Sequence, residues 1–287
     1  MLKNRLIFGF LMTVFFTGVV IVDSWLDGSL SRGAIEKSVA GRQATGLFIL
    51  VSLIIIAAQF ELAKLAERKN LLVLLPVTIP ASIMLAGSWY WSQGLDVPLS
   101  KYILILLAFS FFAFLLYQYA RYGLSSVMAN CGISLFSIIY LGLLCSFIIG
   151  IRIEFGIWPL LMYVFVVKSA DIGAYTIGTL MGRHKFSPVI SPGKTWEGMA
   201  GAVFCAVIVA FVFSGFFSIM SWKAAAVFGI CFAFIGQLGD LVESLIKRDA
   251  TEKDSANTVP GFGGVLDIVD SPLVAGVCAY LFFGFVR

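Results

Sequence analysis

Hydrophobic stretches of membrane-spanning length recur from one end of this 287-residue chain to the other. Nine can be read, at roughly 5–22, 45–62, 71–91, 102–120, 124–150, 155–170, 198–220, 222–239 and 271–286. At about 1.5 Å per residue each is close to the length needed to cross a ~30 Å hydrocarbon core, some with tilt. The sixth is the weakest, because Trp158-Pro159 interrupts its start. Inside lipid every backbone N–H and C=O must find a partner within the protein. These runs lack the strict alternation of barrel strands, so they are expected to be helices. With 60% hydrophobic and 13% charged residues, the composition is that of a membrane protein and not of a soluble domain. The expected fold is an all-α polytopic membrane protein of about nine transmembrane helices with cytoplasmic polar loops.

Lys and Arg placement orients it. With the N-terminus in the cytoplasm, 13 of the 20 Lys and Arg residues fall inside and 7 outside. Both strongly charged loops then face the cytoplasm. The first span follows Lys3 and Arg5 as a secretory signal would. Val22-Asp23-Ser24-Trp25-Leu26 offers no small-x-small cleavage site, so a retained helix is expected. A net charge of +4 suits an anionic leaflet and does not suggest nucleic acid. The five cysteines lie scattered within spans without a CxxC pair, so they read as packing residues. His184, the single histidine, sits between Arg183 and Lys185 and reads as part of a solvated loop. Trp89, Tyr90, Trp91 and Tyr102 suggest interfacial anchors. Glu61, Lys64, Glu67, Arg68 and Lys69 suggest a solvated helix end with i,i+3 and i,i+4 pairs.

The chain reads as an N-terminal bundle, 1–155, and a C-terminal region, 156–287, that carries the chemistry within one integrated domain. Asp171 follows Lys168-Ser169-Ala170 at the end of the sixth span. A carboxylate at membrane depth is costly unless paired, metal-bound or wetted. It therefore reads either as a metal or substrate-cation ligand or as the partner of Lys168. Ala174, Gly178 and Gly182 then form a small-residue stripe that admits a close helix. Gly193-Lys194-Thr195 resembles part of a P-loop, but Pro188 stands where the first glycine belongs and no strand precedes it. What remains is a helix start whose Ser191, Lys194 and Thr195 could hold a phosphate or simply begin the helix.

The densest block runs from Gly239 to Asp270, with seven carboxylates, three basic residues and a glycine-rich turn. Asp240, Glu243, Ser244 and Lys247 are spaced to share one helix face. Carboxylates suit hard cations, and Lys or Arg suit phosphate oxygens. The Pro260-Gly261-Phe262-Gly263-Gly264 turn can bring backbone N–H groups to an anion.

From here Ser244-Leu245-Ile246-Lys247-Arg248, Lys253-Asp254-Ser255, Pro260-Gly261-Phe262-Gly263-Gly264 and Asp267-Ile268-Val269-Asp270-Ser271 follow in order. Together they resemble the signature of the phosphatidate cytidylyltransferases, also called CDP-diacylglycerol synthases. Asp171-Ile172-Gly173-Ala174-Tyr175 and the stretch Ser191 to Gly198 are similar to further family blocks. The resemblance covers about residues 160–287. Phe262, Ile268 and Ala256 replace the family's usual His, Arg and Gly. The resemblance implies transfer of the cytidylyl group of CTP to phosphatidic acid, giving CDP-diacylglycerol and pyrophosphate. It implies Mg2+, with a second, monovalent cation as an open addition, surrounding membrane lipids and a homodimer. On this reading Asp240, Asp267 and Asp171 serve the metal, and Lys247, Arg248, Lys253 and Asp254 are catalytic. Ser191, Lys194, Thr195, Gly261, Gly263 and Gly264 hold substrate. The expected location is the cell inner membrane, with the site facing the cytoplasm. The alternatives are a CTP-dependent lipid kinase, a transporter and a degenerate homologue.

Overall fold

A computed structural model describes residues 2–28, 43–95, 97–256, 258–259 and 263–286. Gly261, with Pro260 and Phe262, lies outside the described residues. The chain forms α1 (Leu2–Leu26), α2 (Thr45–Glu67), α3 (Leu75–Ala86), α4 (Ser88–Ser92), α5 (Leu99–Tyr122), α6 (Val127–Ser137), a π-helical turn (Ile138–Leu143) and α7 (Leu144–Glu154). Then follow α8 (Ile157–Met181), α9 (Trp196–Phe217), α10 (Trp222–Asp249) and α11 (Leu266–Val286). Among the described residues seven helical segments are long and apolar enough to cross a membrane, with α6, the π turn and α7 counting as one.

The other two expected spans are shorter apolar helices. One is Leu11–Leu26 within α1; the other is α3. Pro76 opens α3 and Pro80 lies inside it, and at twelve residues it extends only about 18 Å. Two backbone N–H groups of the non-helical residues before α3 are satisfied by side chains. Leu72 N–H donates to Asn130 Oδ1 (3.0 Å) and Leu74 N–H to Ser134 Oγ (3.0 Å). The sixth span is longer than expected. Pro159 falls in the first turn of α8, where its missing N–H costs nothing, and the helix continues to Met181. Asp171 is therefore inside α8 and not at its end.

The small-residue stripe of α8 admits α9. A Cβ on Gly173 would lie 2.4 Å from Gly201 O, and one on Gly201 would lie 2.6 Å from Gly173 O, so the backbones touch. Trp89 and Tyr90 are not interfacial anchors. They are buried inside the bundle, where Tyr90 stacks on Phe48 at 4.8 Å and Trp89 packs on Phe147 and Tyr280. All five cysteines are free.

Cross-links sort the loops into two ends. Arg68 pairs with Glu252 (3.1 Å), Lys69 with Asp249 (3.0 Å), and Arg248 Nε donates to Ile190 O (3.3 Å). The polar loops after α2, α8 and α10 thus share one end. At the other end Arg152 pairs with Asp27 (2.9 Å) and faces Asp23, and Glu154 accepts from Trp89 and Tyr280.

Candidate active site

α10 and α11 pack antiparallel, and their seam carries the acid cluster. Gly239 makes the seam tight, since a Cβ there would lie 2.8 Å from Ser271 Cα. The expected face of α10 presents Asp240, Glu243 and Lys247 to Asp267, Asp270 and Ser271 of α11. Lys247 Nζ sits between Glu243 Oε2 (2.5 Å) and Asp267 Oδ1. The Ser271 hydroxyl lies between Asp240 Oδ1 and Asp270 Oδ1, and Ser271 N–H donates to Asp270 Oδ1 at 2.6 Å. Glu243 and Asp270 are buried.

The loop between α8 and α9 folds back as a narrow hairpin. Phe186 N–H donates to Lys194 O (3.2 Å) and Trp196 N–H to His184 O (2.9 Å). This delivers Lys194 to the seam, where Nζ donates to Asp240 Oδ2 (3.1 Å) and to Gln237 O (2.9 Å). Gln237 Nε2 reaches Asp171 Oδ1 (3.3 Å), and Lys168 Nζ reaches Asp171 Oδ2 (3.3 Å). A polar chain therefore runs Lys168, Asp171, Gln237, Lys194, Asp240, Ser271, Asp270 across α8, the hairpin, α10 and α11.

Other expected site residues stand apart. Thr195 is buried as the N-cap of α9, accepting from Gly198 N–H at 3.1 Å, so its hydroxyl serves the helix start. Ser191 turns the hairpin through its backbone, its carbonyl accepting from Lys194 N–H at 3.1 Å. Arg248 ties the hairpin to the end of α10 through Ile190 O and Glu252 O. Lys253 and Asp254 are exposed. His184 is exposed and pairs with Glu197 at 2.5 Å, as a solvated loop residue would.

Of the described turn residues, Gly263 N–H donates to Val259 O (3.1 Å), while Gly264 N–H and those of the two residues after it donate to the protein's own carboxylates. Gly264 N–H donates to Asp267 Oδ2 (2.7 Å), which also accepts from Ser255 N–H (3.0 Å) and Ser255 Oγ (2.7 Å). Val265 and Leu266 N–H donate to Glu61 Oε1 (2.9 Å) and Oε2 (2.8 Å). Gly263 has φ +101°, and a Cβ there would meet Asp267 Oδ2 at 2.6 Å, so only glycine serves. Glu61 is not part of a solvated helix end; it is buried at 3% exposure. Glu61 and Gln237 are not singled out by the sequence as site residues, and Ser271, which closes the last signature block, has no role assigned from the sequence. The available signal was a polar side chain interrupting an otherwise apolar run.

Among the described residues no three His, Cys, Asp or Glu side chains converge as ligands for one ion. Asp171, Asp240 and Asp267 thus do not form a ready-made three-carboxylate site. Instead, an ammonium stands in the cation position beside Asp240 (Lys194) and beside Asp267 (Lys247). Mg2+ is commonly held by one or two carboxylates plus substrate phosphates, and this donor set fits that mode.

The sequence model of the Cytidylyltransferase family matches residues 38–286. The phosphatidate cytidylyltransferase of Staphylococcus saprophyticus is 38% identical over 188 residues, 65% of this chain and 68% of that protein. That of Staphylococcus haemolyticus is 36% identical over 202 residues, 70% of this chain and 72% of that protein. The match to the Mycobacterium bovis protein of the same name, 35% identical over 158 residues, spans 51% of that relative. The chain belongs to the cytidylyltransferase family, and the relatives it matches are phosphatidate cytidylyltransferases.

Proposed function

We propose that the seam between α10 and α11 joins CTP to phosphatidic acid, giving CDP-diacylglycerol and pyrophosphate. The observation that carries this reading is the pair of lysines, Lys194 and Lys247, held on carboxylates at the polar end of the bundle. A phosphate oxygen of phosphatidate attacks the α-phosphorus of CTP, the bond to the β-phosphate oxygen breaks, and pyrophosphate leaves. The nucleophile is already anionic, so the step needs no strong base. The burden is to bring two polyanions together and to neutralise charge at the leaving phosphate. Lys194 and Lys247 have long flexible stems and can exchange their carboxylate partners for phosphate oxygens. Arg248 and Lys253 lie at the rim and add positive charge along the approach. Asp240 and Asp267, released from their lysines, are the residues that would hold Mg2+. Bound Mg2+ supplies charge neutralisation across phosphate oxygens. Asp171, tied to Lys168 and Gln237, sits within reach of the same polar chain.

On this reading phosphatidate enters from the inner leaflet and CTP from the cytoplasm, and the homodimer suggested by the resemblance belongs to the proposal. The check is pyrophosphate release by purified protein given CTP and Mg2+. Release that appears only when phosphatidic acid is added supports the reading. Release that ignores phosphatidic acid, or none, contradicts it.

A further inference from the structure

Glu61 belongs to α2, in the half of the chain without signature motifs, yet its carboxylate is enclosed by the segment that enters α11. Each oxygen takes one loop hydroxyl and one backbone N–H. Oε1 accepts from Thr258 Oγ1 (2.9 Å) and Val265 N–H (2.9 Å); Oε2 accepts from Ser255 Oγ (3.1 Å) and Leu266 N–H (2.8 Å). Leu266 is the first residue of α11, so these N–H groups are among those a helix start leaves without an intrahelical partner. A carboxylate there satisfies them and sits at the positive end of the helix dipole. Ordinarily a side chain of the local segment does this. Here a residue 205 positions away does it.

The same network touches the seam. Ser255 Oγ lies within hydrogen-bond reach of both Glu61 Oε2 and Asp267 Oδ2, so one hydroxyl links the α2 carboxylate to the aspartate that pairs with Lys247. Gly264 is wedged into this contact. A Cβ there would stand 2.0 Å from Ser255 Oγ and 2.4 Å from Glu61 Oε2. Arg68–Glu252 and Lys69–Asp249 fasten the residues just after α2 to the end of α10 and the loop beyond it.

We propose that Glu61 is a positioning residue for cytidylyl transfer: it seats Ser255, Thr258, Val265 and Leu266 and thereby sets where Asp267 and Lys247 stand. This rests on the proposed activity of the seam. Because Glu61 contacts no reacting atom, its loss should fall on turnover more than on substrate binding.

The experiment compares Glu61→Ala, Glu61→Gln and Ser255→Ala with the unaltered full-length protein in detergent or nanodiscs. It reads kcat and KM for CTP and for phosphatidate, and hydrogen–deuterium exchange of the 255–266 amides. Glu61→Ala is expected to lower kcat by about 10- to 100-fold, the worth of charge-assisted hydrogen bonds, with both KM values within about threefold. Exchange at Val265 and Leu266 should rise in parallel. Glu61→Gln keeps one oxygen facing a helix N–H and should fall between the two. The double variant with Ser255→Ala should lose less than the two single losses combined, as residues in one network do. Unchanged kcat and unchanged exchange in Glu61→Ala overturn the proposal, as does a uniform loss of folded protein that Glu61→Gln does not relieve. If the unaltered protein transfers no cytidylyl group, the activity reading fails. The exchange measurement then still decides whether Glu61 seats the segment.

Discussion

Both ends of this bundle bury charge, but they hold it with different chemistry. At the end away from the polar loops, Arg152 is 1% exposed and faces Asp27 and Asp23, while Glu154 is gripped by the Trp89 indole and the Tyr280 hydroxyl. Asp23 also accepts from Gly46 N–H at 2.5 Å, which fixes the start of α2. The guanidinium, indole and phenol donors are planar or ring-borne, and with Gly46 N–H they tie α1, α2, α4, α7 and α11 together. At the other end Asp240, Glu243 and Asp267 face lysines, whose point charge on a flexible stem can move to an incoming phosphate. Burial of charge does not by itself mark a site. On the proposed reading, what separates the two ends is whether the partner can be exchanged.

The sharpest way to break this comparison is Asp267→Asn. Removing the charge that orients Lys247, Ser255 and Gly264 should lower transfer by more than about 100-fold in protein that still inserts and folds, measured as kcat/KM. Full activity in that variant would remove Asp267 from the metal and lysine scheme. Lys194→Ala should follow, with a loss of about tenfold to 100-fold from the missing charged contact and a raised KM for CTP. Arg248→Ala, which frees the hairpin at the rim, should cost only about two- to fivefold, since its bonds are exposed. Arg152→Met tests the opposite end. Breaking this buried ion pair should cost about 3 kcal/mol or more in thermal unfolding, yet leave kcat of the folded fraction unchanged. His184→Ala should change neither quantity, because its side chain is solvated.

The helical membrane fold was legible because apolar runs of bilayer length admit few other structures. The i, i+3, i+7 face of Asp240, Glu243 and Lys247 was legible because helical periodicity is local. Errors arose where the outcome depends on what packs alongside. Pro76 and Pro80 shortened α3, and Asn130 and Ser134 made the non-helical residues before it tolerable in the bundle. Trp89 and Tyr90 carry the composition of an interfacial belt, but Phe48, Phe147 and Tyr280 bury them. Glu61 looked solvated because Lys64, Glu67, Arg68 and Lys69 surround it in sequence. Its partners lie about 200 positions away, where no local pattern reaches. The turn of Gly263 and Gly264 pointed to an anion, and only the fold could identify it as Asp267, with Glu61 taking the next two N–H groups.

The most direct test of the lysine–carboxylate seam as a cytidylyl-transfer site is label transfer. Purified protein with Mg2+ and phosphatidic acid receives CTP labelled at the α-phosphate, and in parallel CTP labelled at the γ-phosphate. Label should reach lipid from the α position alone, a transfer abolished by Asp267→Asn and untouched by His184→Ala. Label reaching lipid from the γ position, or no α-label in lipid from well-folded protein, would contradict it.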